Sequence, residues 1–220
     1  MSEEQKELAV VYKIDDNEIR LTQNIVQNYL VGSNTKITLG EFKLFTELCK
    51  VRKLNPFLKE AYIIKYGTNP ATIVVGKDVI IKRAVLHPQY DGKESGIIVM
   101  NDAGEITERN GCFASINETI VGGWARVFRK DRVHPEYMSV SLSEVASKKG
   151  TGEFNSTWMN QTATMVEKVA KVRALREAFV DDLQGLYDID EVNNQTPEIE
   201  PIKDAEFEVI EPKQVKLDEV

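Results

Sequence analysis

Cysteine and histidine are scarce in this 220-residue chain, with two of each. Cys49 and Cys112 do not make a disulfide framework, so a reducing cytoplasm is the expected compartment. His87 and His134 each precede a proline, and neither sits in a Cys/His cluster of zinc spacing, so no metal site is expected. No apolar run approaches the roughly 20 residues that span a bilayer. The stretch MSEEQKELAV is acidic and lacks the basic and apolar regions of a signal peptide. Enzyme signatures are missing too. There is no GxxxxGKS/T phosphate loop, no GxSxG elbow and no HExxH pair, which argues against a P-loop ATPase, an α/β-hydrolase and a zincin. The loop GTGEF, residues 150–154, is too short to define a nucleotide site. Carboxylates are plentiful, but no close cluster reads as a two-metal nuclease centre. The expectation is a protein without cofactor or catalytic residues.

What is present is charge, unevenly placed. The chain carries 35 acids against 28 Lys and Arg, a formal net charge of −7. From Asp188 to Val220 there are eleven acids and three bases, net −8. The remaining 24 acids and 25 bases leave the body at +1. Within it, Lys43–Lys93 holds ten bases and four acids, and Gly122–Arg176 ten bases and five acids. The acidity is therefore mostly a tail, and the body has two basic segments whose local field the net charge conceals. The composition predicts a core over 1–187 and an acidic, disordered tail over 188–220.

Periodicity outlines the elements. Residues 1–15 read as a loose lead-in. DDNEIRLTQNIVQNYLVG reads as a helix capped by Asp16 or Asn17 and ended by Gly32. Thr38 and Glu41 have capping-box spacing ahead of Phe42, Phe45, Leu48 and Cys49, and Asn55-Pro56 stops that second helix. AYIIKY, GTNP and ATIVV predict a β-hairpin, and KDVIIKRAVLH a short helix. Strands follow at 96–100, 112–116, 119–129 and 136–142, with turns at NDAGE and KDRVHP. The longest helical pattern runs from Trp158 to Phe179. This order predicts one α+β domain: a mainly antiparallel sheet with a hairpin, packed on a long central helix.

Two constellations carry the functional reading. In VGGWARVFRKDRVHP, period two places Trp124, Arg126, Phe128 and Lys130 on one strand face. Bases stack on aromatics for about 1–3 kcal/mol each, and interleaved cations hold a phosphate backbone. Aromatics are mostly buried, so the same stripe also reads as core with a cation at the sheet edge. In the long helix, Trp158, Met165, Val172 and Phe179 recur every seven residues, while Ala163, Ala170, Ala174 and Ala178 form a second apolar face. Lys168, Lys171, Arg173 and Arg176 must emerge between packed neighbours. Arg176 projects beside the heptad stripe, toward a groove; Arg173 reads as a solvated charge, and Glu167–Lys171 as an i,i+4 pair. The hairpin region adds Lys59, Lys65, Lys82 and Arg83, whose concentration matters more than any one of them.

The ordered series LNPFLKEAYIIKYG, VVGKDVIIKRA, QYDG, ARVFRKDRVHP, a tryptophan, then VAKVRALREAFVDDLQGLYDIDE resembles the phage annealing proteins of the Redβ/Bet type, within the RecT-like group of recombinases. The resemblance runs from about Leu54 to Glu191. It implies an ATP-independent protein that binds single-stranded DNA in a basic groove, forms rings or helical filaments, and pairs complementary strands through a duplex intermediate. It implies work in the cytoplasm of a host bacterium during phage homologous recombination. Carried over by position, the implied DNA contacts are Lys59, Lys65, Lys82, Arg126, Arg129, Lys130, Arg132, Trp158 and Arg176. Two departures stand out. Ala163 and Val169 occupy places where the family pattern is basic, and Lys168 is included as a substitute for the second. Longer members carry a helical C-terminal domain that recruits a partner exonuclease and the host single-strand-binding protein; this chain offers only the acidic tail there. A passive single-strand-binding scaffold is the alternative reading, and a metal-dependent nuclease a third.

Overall fold

A computed structural model of the chain describes residues 8–31 and 35–192. It opens with a β-hairpin, β1 (Ala9–Ile14) and β2 (Asn17–Thr22), where a loose lead-in and a helix were expected. Tyr12 pairs with Ile19 and Val10 with Leu21, a period-two register that folds back across Asp15-Asp16. Asp15 adopts a left-handed backbone, φ 51°, which a short polar side chain tolerates. Tyr12, Ile19 and Leu21 point into the core, and the Tyr12 hydroxyl donates to the Leu54 carbonyl at 2.7 Å. Only the second half of the expected helix forms turns, at Gln23–Ile25 and Val26–Leu30. Gly32, its expected end, and residues 1–7 lie outside the described residues.

Helix α1 (Leu39–Val51) starts as its sequence predicts. The Thr38 side chain accepts from Glu41 N–H at 3.2 Å, and the Glu41 carboxylate accepts from Thr38 N–H at 2.6 Å. The same carboxylate accepts from Lys65 Nζ and from Ala71 N–H, each at 2.9 Å, so one acid ties α1 to the next hairpin. That hairpin is β3 (Ala61–Ile64) and β4 (Thr72–Val75), followed by α2 (Lys77–Leu86).

The main sheet is antiparallel, in the order β6-β5-β7-β8. Its strands are β5 (Tyr90–Asn101), β6 (Ile106–Asn110), β7 (Glu118–Arg129) and β8 (Glu136–Ser141). The strand expected at 112–116 is instead β6. The NDAGE turn is tight, with Gly104 N–H donating to Asn101 at 3.0 Å, so pairing starts at once, Ile106 opposite Met100. Every residue of β6 is exposed, so it shows no apolar alternation to read.

The long helical pattern is two helices. Asn155 caps α3 (Ser156–Asn160), accepting from Trp158 N–H at 3.0 Å. The backbone then breaks at Gln161, and α4 (Thr162–Ala178) crosses one face of the sheet. Its residues Met165, Val166, Val169, Val172 and Leu175 join Ile97, Val99, Ala125 and Val127 in one continuous core. Small residues set the spacing: a Cβ on Gly123 of β7 would lie 2.4 Å from the Val166 carbonyl oxygen of α4. The two backbones touch there, as only glycine allows. The architecture is the expected α+β arrangement of antiparallel sheet, hairpin and long helix.

Five residues expected in the tail, Asp188–Val192, are docked on this body, and Asp188 and Glu191 are buried. The rest of the predicted tail, 193–220, lies outside the described residues.

Candidate nucleic-acid interface

Strand β7 divides its residues between two faces as alternation dictates. Gly123, Ala125 and Val127 meet α4, and Trp124, Arg126 and Phe128 lie on the opposite face. On that face Trp124 is only 3% exposed and its Nε1 donates to the Arg109 carbonyl at 3.2 Å. The Arg126 guanidinium covers it, with Cζ 4.6 Å from the Trp124 ring centre and 5.2 Å from that of Tyr137. Arg126 also donates to Glu108 at 2.8 Å, and the Tyr137 hydroxyl donates to the same carboxylate at 2.7 Å. The aromatic–cation stripe exists, yet its tryptophan is core and its arginine is partly neutralised.

At the end of β7, Arg129 donates to both carboxylate oxygens of Asp131, and its guanidinium holds the Asp131 carboxyl down at about 2. It also donates to the Ala178 carbonyl at the end of α4 and lies over the Phe179 ring. Arg129 is thus a strut between sheet and helix. Lys130 and Arg132 are exposed, with longer contacts to the Pro88 carbonyl at 3.3 Å and to Glu136 at 3.7 Å.

The helix cations are engaged by acids. Lys168 pairs with Asp188 at 2.5 Å and with Asp190. Burial alone would lower the Lys168 ammonium, but these two carboxylates hold it above its ordinary value. Burial pushes the Asp190 carboxyl up, against the pull of Lys168. Arg176 donates to both oxygens of Glu191 and, at 3.2 Å, to the Leu186 carbonyl. Its Cζ sits 4.5 Å from the centre of the Tyr187 ring. Arg173 reaches Glu144 only at 3.8 Å. An open recess here is lined by Met138, Arg173, Arg176, Glu177, Tyr187 and Glu191.

Lys65 and Trp158 are corrections. Lys65 is 7% exposed and held between both oxygens of Glu41, so it serves the α1–hairpin junction. Trp158 is fully buried at 0%, inside the core rather than on a stacking platform, and its Nε1 has no hydrogen-bond partner among the described residues.

A second recess retains open cations. It is lined by Lys53, Lys82 and Arg83 with Asp15, Asn17, Asn55 and Glu60, and by apolar residues that include Leu58, Val79 and Leu86. Exposed Lys59 lies between Leu58 and Glu60. Lys82 is 65% exposed at the side chain and touches Glu60 only at 3.6 Å. Of the three non-glycine residues with left-handed backbones among the described residues, Asp15 and Lys53 line this recess, and Lys59 lies in the chain between two of its lining residues, Leu58 and Glu60. Strained backbone of this kind clusters at functional sites. Lys53 was not singled out from the sequence; its signal is a lysine at the frayed end of α1 ahead of the Asn55-Pro56 stop.

The acids on Lys168 and Arg176 were also missed. The available signal was spacing: two cations eight residues apart lie toward one side of the helix, and an Asp-x-Asp-Glu run follows shortly after. Among the described residues no group of His, Cys, Asp and Glu is arranged to hold a metal, and no helix is long and apolar enough to cross a membrane.

No curated protein matches the chain. A family model described as the RecT family matches residues 16–206. That span begins at the turn of the first hairpin and takes in the sheet, the long helix and the docked acids, so the chain belongs to the RecT family, the single-strand annealing proteins of DNA recombination.

Proposed function

We propose that this chain binds single-stranded DNA without ATP, oligomerises, and pairs complementary strands during phage homologous recombination in the host cytoplasm. Family membership over residues 16–206 carries the reading. The open cations support it: Lys59 and Lys82 at the hairpin recess, and Lys130 and Arg132 at the end of β7. Each is exposed and weakly held, which suits contacts to phosphates that ignore base sequence. Arg126 is a secondary contact, because DNA must first compete with Glu108. Arg129, Lys65 and Trp158 contribute by holding the fold. Lys168 and Arg176 contribute only once freed of their acids. A partner exonuclease or the host single-strand-binding protein remains part of the proposal, carried by the resemblance alone.

The test mixes complementary oligonucleotides with the protein, without ATP, and follows duplex formation and strand length. Accelerated pairing with intact strands supports annealing. Protection without pairing would establish the passive scaffold, and Mg²⁺-dependent shortening a nuclease. Single-strand affinity should fall with salt at a log–log slope of about −0.7 per phosphate neutralised.

A further inference from the structure

We propose that Tyr187–Val192 is a displaceable acidic strap that occupies, in place of DNA phosphates, the cations of α4. The inference rests on the single-strand-binding reading above. Three carboxylates of the strap, Asp188, Asp190 and Glu191, meet two helix cations, Lys168 and Arg176. The pairing leaves one surplus negative charge where the helix would otherwise present two positive ones. Asp188 and Asp190 share one ammonium, and both oxygens of Glu191 accept from the N–H edge of one guanidinium, the geometry a phosphate also uses.

The strap is held differently from the chain before it. Leu183 and Leu186 are buried in the core, with Gly185 between them at φ 74°. From Tyr187 to Val192 no apolar side chain is fully buried: Tyr187 is 42% exposed, and Ile189 and Val192 are half-buried. What remains is charge, the Tyr187 ring against the Arg176 guanidinium, one bond from Val75 N–H to the Tyr187 carbonyl at 2.9 Å, and three bonds inside the strap: Asp188 N–H to Glu191, Asp190 N–H to the Asp188 carboxylate and Glu191 N–H to the Asp188 carbonyl, each at 3.1 Å. Ion pairs taken from water gain little net free energy, because desolvation offsets the attraction. A polyanion that supplies phosphates to the same cations replaces these pairs one for one. Leu183 and Leu186 keep the strap tethered when it leaves. The recess beside Arg173, Arg176 and Tyr187 is already open, and gives a strand a place to start the exchange.

Two measurements test this on the full chain. The first is amide hydrogen exchange on the unaltered protein, with and without saturating oligothymidylate. Displacement predicts that the Val75, Asp188 and Glu191 amides lose protection, while amides inside α4 keep theirs. The second compares the unaltered protein with the double variant Asp190→Asn, Glu191→Gln. The variant should bind oligothymidylate about tenfold tighter at low salt. Unchanged or increased protection of the three amides at saturation overturns the strap, whether or not the variant folds. Equal or weaker binding by a folded variant does the same. If the unaltered protein does not bind oligothymidylate at any salt, the single-strand-binding reading itself fails.

Discussion

Gly123→Ala is the sharpest test of how α4 meets the sheet. The added Cβ would lie 2.4 Å from the Val166 carbonyl oxygen, 2.5 Å from its carbon and 3.0 Å from Glu167 N. All three are backbone atoms in the middle of α4, so no side chain can rotate away. Ordinary contact requires about 1 Å more, and the helix must shift by that amount or the strand must bend. Either movement opens the core where Val166, Val169 and Ala170 are fully buried. Overpacking of this kind costs typically 1–3 kcal/mol, and a rigid backbone clash sits at the top of that range, about 3 kcal/mol. For a domain of this size that lowers Tm by roughly 6–12 °C. The matched control is Gly40→Ala in the first turn of α1, where the new Cβ meets only Thr38 Oγ1 at 3.9 Å. There alanine should stabilise by about 0.5–1 kcal/mol, through a less costly backbone ordering. Thermal unfolding followed by circular dichroism reads both. A Gly123→Ala protein melting within 2 °C of the parent would refute the close helix–strand contact.

Glu41→Gln removes the charge that joins Thr38, Lys65 and Ala71, and should cost roughly 3 kcal/mol at neutral pH in urea unfolding. Burial works to raise the Glu41 carboxyl, but the Thr38 and Ala71 N–H groups and Lys65 outweigh it and hold the group below its ordinary value. A carboxyl lowered in the folded state stabilises above its unfolded pKa, so this contribution should fade as pH falls below about 4.5, and the gap between parent and variant should close there. Trp158→Ala should cost about 3–5 kcal/mol, and Trp158→Phe much less, since it removes a ring N–H with no partner among the described residues; fluorescence-monitored unfolding measures both. If either folded variant also loses single-strand affinity, Trp158 is not purely core. Reversing Lys59 and Lys82 to Glu should weaken single-strand binding several-fold in a fluorescence-anisotropy titration and leave Tm unchanged, whereas Lys65→Ala should lower Tm.

Much of this fold was legible because burial and period agree along most of the chain. The capping box of α1, the β3–β4 hairpin, α2 and the strands β5, β7 and β8 follow from capping chemistry, turn residues and alternation acting on adjacent residues. The misses share a cause. Residues 9–30 mix helical and period-two spacings, and the register of β1 on β2, not the residues themselves, chooses between them. Strand β6 carries no apolar face, since it is exposed throughout and held by pairing with β5. The break at Gln161 sits inside a pattern that stays helical in composition on both sides.

The site was legible in kind and not in detail, and the reason is electrostatic. A sequence shows a cation but not the acid that folding brings to it. Lys65 and Glu41 are 24 residues apart, Arg126 and Glu108 are 18, and Arg176 and Glu191 are 15. Each of these cations reads as free until the pairing is seen. Dividing the charge at residue 187 compounds the effect, because it assigns Asp188, Asp190 and Glu191 to a tail when they neutralise the helix. Adding those three acids to the body turns its +1 into −2, so the body that meets DNA is not a uniformly basic surface. On the reading proposed above, its attraction comes from exposed cations, among them those at the Lys59–Lys82 recess and the Lys130–Arg132 turn, and from any that a strand can free. Affinity should therefore rise with strand length in a step, not smoothly, where a strand becomes long enough to reach the strap while still held at the open cations. Titrating oligothymidylates of increasing length at fixed salt would show that step, and its loss in the Asp190→Asn, Glu191→Gln variant would tie it to the strap.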